Sequence, residues 1–241
     1  LGRCAKTRSA CARSAKAANT QAPDPVMRQE FLDLAAVCRR VPAQPATTFR
    51  EAINAIWLCQ VGIHAENINM AMSPGRLDQV LAPYYERDLA AGRLDLGRAM
   101  ELIGCLWLKI ADNVTMVPEA SEQMFGGAGT VPAITLGGVD QNGGDAVNDL
   151  TYLMLRVTEL LRIRDPNVNA RYDYQANSRA YCRRVAEVVL DPLAPAAADA
   201  PGAQERLTDF AATEPFRLAE PEPELLKQFA VRVCSRYGAK T

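Results

Sequence analysis

The stretch Ile134-Thr135-Leu136-Gly137-Gly138-Val139-Asp140-Gln141-Asn142-Gly143-Gly144-Asp145-Ala146-Val147-Asn148-Asp149-Leu150-Thr151-Tyr152-Leu153-Met154-Leu155 decides how this chain is read. An apolar run with β-branched residues reaches Gly137-Gly138, and a polar, glycine-rich turn follows. From Asp145 onward, Val147, Leu150, Met154, Val157 and Leu161 keep helical spacing. The pattern predicts a strand over 131–139, a tight turn, and a helix from Asp145 to Arg164. Asp145 is a residue type that caps a helix start. The glycines at 126–129, 137–138 and 143–144 invite a phosphate-loop reading. However, the chain has no GxxxxGK[ST], and no GxGxxG between strand and helix. Tight turning and close backbone approach account for them better. Asp140, Asp145 and Asp149 lack the spacing of a calcium loop, so capping is preferred to metal binding.

Working outward, Asn167–Tyr172 reads as a second strand and Asn177–Val189 as another helix. Upstream, residues 27–40 place Met27, Phe31, Leu34, Ala35 and Cys38 on one helical face, ended by Pro42 and Pro45. Thr48-Phe49-Arg50-Glu51 is a capping box that opens a helix with Phe49, Ile53, Ile56, Trp57 and Gln60 in register. Val61–Asn69 is expected to be extended, and Ser73–Arg76, with adjacent Pro and Gly, to turn. A helix from Leu77 to Ala91 points Leu81, Tyr84 and Tyr85 inward and is capped by Gly92. The next, Leu96–Ala111, buries Ala99, Leu102, Ile103, Leu106, Trp107 and Ile110. Glu119–Gly129 is a loop.

Composition narrows the function class. The chain has 241 residues, of which 49% are hydrophobic and 23% charged, in the range of ordinary globular proteins. A net charge of −1 offers no field for nucleic acid or an anionic membrane. No apolar run approaches the ~20 residues that cross a bilayer. Seven scattered cysteines without a CxxC pair point to reduced thiols in the cytoplasm. The single histidine, His64, excludes a multi-histidine metal site. His64 and Glu66 could pair as acid and base, but residues two apart on an extended segment face opposite ways. Asn113-Val114-Thr115 is read as a chance sequon.

Several segments, in order, resemble those of the glycyl radical enzymes, the pyruvate formate-lyase-like superfamily. They are Ala35–Pro42, Phe49-Arg50-Glu51-Ala52, Glu66, Ser73-Pro74-Gly75-Arg76-Leu77-Asp78-Gln79 and Pro83-Tyr84-Tyr85. Further along come Leu106-Trp107-Leu108-Lys109, the Gly137-Gly138 turn with Asn148 and Leu150–Leu153, and Asp165–Arg171, similar to the family's P-N-x-x-x-R strand. The resemblance implies an α/β fold, a helix-rich part of the family's ten-stranded barrel. It also implies a glycyl radical installed by an activase that uses S-adenosylmethionine and an iron–sulfur cluster. That radical passes to a cysteine, whose thiyl acts on a small anaerobic metabolite in lyase or formate acetyltransferase-like chemistry. A homodimer is allowed.

The departures are specific. The family's cysteine loop would follow residue 171 in a Gly-Cys context, whereas Cys182 stands in Tyr-Cys-Arg-Arg on a predicted helix. Val231-Arg232-Val233-Cys234 starts like the radical motif R-V-x-G-Y, but Ser235 takes the glycine's place, Arg236 the tyrosine's, and Gly238 comes three positions later. No catalytic residue is therefore assigned, and no bound metal or cofactor is expected. In dehydratase-like members, polar substrate contacts lie five and four residues before the glycine of G-R-x-D-Q. Here those substrate-binding positions are Met70 and Ala71, whose side chains form no hydrogen bond, which disfavours a diol pocket. Arg76 and Asp78 are expected to be structural.

The expected organisation has three parts. Residues 1–25 are a basic N-terminal segment, read as an exposed helix cut from a longer protein. Residues 26–190 are the barrel fragment. Residues 191–241, rich in Pro and Ala, read as linker or disorder. A gene fragment or frame-disrupted remnant, or a non-catalytic helical scaffold, is the alternative to a working enzyme.

Overall fold

Capping residues and prolines set the helix starts. A computed structural model describes residues 2–22, 24–66, 72–112, 132–161, 163 and 165–189. Met70 and Ala71, the 119–129 loop, the sequon and everything from residue 190 on lie outside them. The chain divides into two units, residues 1–74 with 81–131, and residues 75–80 with 132–241.

The first unit is helical: α1 (Gly2–Gln21), α2 (Pro25–Arg40), α3 (Phe49–Glu66), most of α4 (Leu77–Ala90) and α5 (Leu96–Asp112). Asp24 caps α2 by accepting from the Val26 amide, with Pro25 at the first helical position, where its missing N–H costs nothing. The capping box of α3 forms with one change. Thr48 Oγ1 accepts from Glu51 N at 3.1 Å, but the Glu51 carboxylate reaches Thr47, taking its N–H at 2.7 Å and its hydroxyl at 2.8 Å. Glu30 on α2 gathers Arg50 from α3 at 2.9 Å and Arg98 from α5 at 2.8 Å. The core holds Phe49, Ile53, Leu58, Leu81, Tyr85, Ala99, Ile103, Leu106, Trp107 and Ile110. The Phe49 ring meets Tyr85 edge-on, with centroids 5.9 Å apart. Beneath it, Asp88 accepts the buried Phe49 N–H at 2.8 Å and the Arg93 guanidinium at 2.7 Å.

In the second unit, β1 (Ala133–Gly137) and β2 (Asn167–Arg171) pair in parallel, Ala133 opposite Asn167 and Gly137 opposite Arg171. The helix α6 (Asp149–Leu161) is the crossover between them, as parallel pairing requires. Helix α7 (Arg179–Val189) follows β2. Ile134, Leu136, Leu150, Met154, Leu155, Val157, Tyr181 and Val185 form the core. Arg184 on α7 joins Glu159 on α6 at 2.6 Å.

The structure corrects several expectations. Val61 to Glu66 is not extended but continues α3, because Leu58 and Gln60 keep that helix buried. The helix expected from Asp145 opens at Asp149 and ends at Leu161, and the one expected from Asn177 opens at Arg179. The N-terminal helix is not free-standing. Ala12 and Ala15 are buried, and the Arg8 guanidinium donates to the Arg39 carbonyl at the end of α2. Small residues three apart let α1 pack closely against its neighbours. Met27 is 46% exposed, outside the face assigned to it. Tyr84 and Leu102 are half-buried where an inward position was expected, and Ile56, Trp57 and Leu161 keep their helical register half-buried.

Asp88→Ala leaves the Phe49 amide buried without an acceptor, so it should lower stability by about 2–3 kcal/mol. Arg93→Ala removes only a half-exposed partner and should cost less than about 1 kcal/mol. Urea unfolding followed by the fluorescence of Trp57 and Trp107 measures both. Equal costs would show that the Phe49 amide does not depend on Asp88.

Candidate functional site

The Gly137-Gly138 turn gathers the residues singled out in the sequence. Both glycines have positive φ, 63° and 78°, where a side chain is strained. Neither has room for one. A Cβ on Gly137 would lie 2.2 Å from the Tyr181 hydroxyl, and one on Gly138 would lie 2.8 Å from Arg171 Cβ.

The segment Gly75-Arg76-Leu77-Asp78-Gln79 latches this turn. The Gly75 carbonyl accepts from Thr135 N at 3.0 Å, alongside β1. The Arg76 guanidinium donates to the Gly137 carbonyl at 2.6 Å and to the Val139 carbonyl at 2.8 Å. Asp78 is fully buried. Its Oδ2 accepts from Gly137 N and from Thr151 Oγ1, each at 2.7 Å, and its Oδ1 from Gln79 N at 2.9 Å. The Gln79 amide donates to the Ala146 carbonyl at 2.6 Å, and Asn148 Nδ2 to the Asp78 carbonyl at 3.3 Å. The hydrogen bonds these side chains form go to backbone and to each other. The arrangement therefore positions the chain and has no free nucleophile or base among the groups that hold it.

The return from the turn is also side-chain controlled. Asp140 Oδ1 accepts from Asn142 N and Gly144 N, closing the small loop with Gly143 at φ 81°. Asp145 does not cap α6. Its Oδ1 accepts from Val147 N at 2.9 Å and from Asn177 Nδ2 at 2.6 Å, in a turn that precedes the helix. The cap is Asn148, whose Oδ1 accepts from Thr151 N at 3.1 Å while Thr151 Oγ1 accepts from Asn148 N at the same distance. Asn177 was missed as a site residue. Its amide also donates to the Gly138 carbonyl at 2.8 Å, and its Oδ1 accepts from Asp173 N at 2.8 Å. The only sequence signal was an Asn just before a helix.

Cys182 is half-buried on α7, not on a loop. Burial pushes its thiol up, and a hydrogen bond to Tyr172 opposes that rise. Burial first, then the Asp78 carboxylate, push the Tyr181 phenol well above its ordinary value, so it stays protonated. His64 lies on α3 in the other unit, with burial lowering its pKa. Among the described residues, no three His, Cys, Asp or Glu side chains converge as a metal site would need, and no helix is long and apolar enough to cross a membrane. Met70, Ala71, Cys234, Ser235 and Gly238 lie outside the described residues.

Gly138→Val should cost about 1–3 kcal/mol from the backbone alone, plus the clash with Arg171. Gly143→Ala, with open space around its Cβ, should cost less. Arg76→Ala, which loses two charged hydrogen bonds, should cost about 2–3 kcal/mol. Thermal melts followed by circular dichroism rank the three. A Gly138→Val protein that melts like the parent would contradict the latch.

Known proteins resemble this chain in sequence and fold. The sequence model of the family described as pyruvate formate lyase-like matches residues 4–199. Isethionate sulfite-lyase of Nitratidesulfovibrio vulgaris is 37% identical over 170 residues, 70% of this chain and 20% of that enzyme. Trans-4-hydroxy-L-proline dehydratase of Clostridioides difficile is 32% identical over 173 residues, 68% of this chain and 21% of that enzyme. The crystal structure of a glycyl radical enzyme from Archaeoglobus fulgidus superposes with a TM-score of 0.72 at 37% identity, over 78% of this chain and 24% of that one. The chain thus spans about a fifth of the length of these curated relatives. The order of its motifs, the βαβ unit and the latched glycine turn lead to one assignment: this chain belongs to the pyruvate formate lyase-like family and forms part of a glycyl radical enzyme barrel.

Proposed function

We propose that this chain is the scaffold part of a glycyl radical lyase that breaks a bond in a small metabolite, and that it does no radical chemistry as this polypeptide alone. The observation that carries the reading is the ordered family match over residues 4–199, which includes the latch of Arg76, Asp78 and Gln79. The relatives named above are a sulfite-lyase and a dehydratase, which supports elimination over acyl transfer. Met70 and Ala71 take the substrate-contact positions, and their apolar side chains favour lyase or decarboxylase chemistry over diol dehydration. In the assembled enzyme, an S-adenosylmethionine-dependent iron–sulfur activase would install the glycyl radical. We place that enzyme in the cytoplasm of an anaerobic cell, allow it to be a homodimer, and take residues 26–190 as the barrel piece between a basic N-terminal segment, residues 1–25, and a Pro/Ala-rich C-terminal segment, residues 191–241.

The inactive, scaffold-only reading of this polypeptide rests on two observations, one of sequence and one of structure. Ser235 stands where the radical glycine belongs. Cys182, the cysteine nearest the expected loop, is held within α7, whereas hydrogen transfer needs reacting atoms about 3–3.5 Å apart. A sheet of two parallel strands, extended among the described residues by a single bridge from Gly75 to β1, also points to a sheet completed elsewhere. Anaerobic incubation of the chain with a competent activase and S-adenosylmethionine, followed by electron paramagnetic resonance, should give no glycyl doublet and no turnover. A doublet abolished by Gly238→Ala would overturn this reading and make the displaced glycine functional.

A further inference from the structure

We propose that Cys11 and Cys38 are a reversible dithiol–disulfide modification site that closes under a low-molecular-weight disulfide oxidant and pins α1 to α2. The two sulfurs, on different helices 27 residues apart in sequence, lie 3.0 Å from each other. A disulfide needs about 2.05 Å, so closure asks for a shift of roughly 1 Å. Ala12, Leu34 and Leu58 pack about the pair. One sulfur is reachable and the other is shielded, since Cys11 is half-buried and Cys38 is buried.

The chemistry follows from that asymmetry. The hydrogen bond from Cys38, opposed by burial and helped by the Lys109 ammonium, draws the Cys11 thiol down to about 6, so Cys11 is the thiolate. The bond to Cys11, burial and the charge on Cys11 all push the Cys38 thiol up, so Cys38 keeps its proton and donates it. The Cys11 thiolate attacks one sulfur of oxidised glutathione. A Cys11–glutathione bond forms, the glutathione disulfide breaks, and one glutathione thiolate leaves. Cys38 then gives up its proton to that thiolate or to water and attacks Cys11 Sγ, expelling the second glutathione. Two protein thiols are oxidised by two electrons, and one glutathione disulfide is reduced to two thiols. The bond closes a loop over the α1–α2 connection and restrains the unfolded chain.

The test treats the full chain with oxidised glutathione, blocks free thiols with N-ethylmaleimide, and maps tryptic peptides without reduction. The expected product links Ser9–Arg13 to Gln29–Arg39. Dithiothreitol should reverse it, and oxidation should raise the melting temperature by about 5–10 °C. Cys38→Ser should trap Cys11 as its glutathione mixed disulfide with no rise in melting temperature. If that core substitution impairs folding, Cys11→Ser serves instead, and Cys38 should then resist oxidation. Cys105→Ser, at an exposed thiol, should leave the linked pair unchanged. Recovery of Cys11 and Cys38 both carrying maleimide, or Cys11 joined to a different cysteine, would overturn the proposal and leave the pair as a packed thiol–thiol contact.

Discussion

The second unit is organised around one buried carboxylate. Asp78 is removed from water, which is costly unless its charge is fully met. No cation bonds it. Instead, three donors from three places converge: the Gly137 amide at the end of β1, the Thr151 hydroxyl in the first turn of α6, and the Gln79 amide of its own helix. It thus lies at the start of α4 and beside the first turn of α6, where helix dipoles favour negative charge. Satisfying Asp78 fixes where β1 stops and where α6 begins. Arg76, next but one, fastens the other face of the same turn through its carbonyls. The glycines follow from this closeness, since neither Tyr181 nor Arg171 leaves space for a side chain.

The parts of the fold that depend on local chemistry were legible in the sequence. β-branched residues ending in glycines gave β1, and the spacing of Leu150, Met154 and Val157 gave α6. The sequence pattern starts α6 four residues early, at Asp145 instead of Asp149, because both Asp145 and Asn148 are capping types. Only the fold shows that Asp145 is occupied by Asn177, a residue 32 positions away. Val61 to Glu66 was misread because β-branched Val61 and Ile63 suggest extension, while burial of Leu58 and Gln60 carries α3 onward. Tertiary packing outweighs so small a difference in propensity.

Function was legible as a family and not as a reaction. Gly75-Arg76-Leu77-Asp78-Gln79 and the glycine turn are recognisable because many groups must fit one another there, so those residue types have little freedom. That constraint concerns holding the barrel together. It says nothing of the substrate, because the bonds these groups form go to backbone and to one another. The pairing of Cys11 with Cys38 was likewise invisible, since two cysteines on separate helices carry no shared sequence signal.

Hydrogen exchange at the Gly137 amide tests the central role of Asp78 most directly. In the parent chain that amide should exchange as slowly as the amides within β1. In Asp78→Ala it should lose protection by at least about tenfold beyond any loss in overall stability, the equivalent of ~1.4 kcal/mol for the deleted bond. Unchanged protection at Gly137 in Asp78→Ala, with the chain still folded, would mean that the glycine turn holds itself and that the buried carboxylate does not organise it.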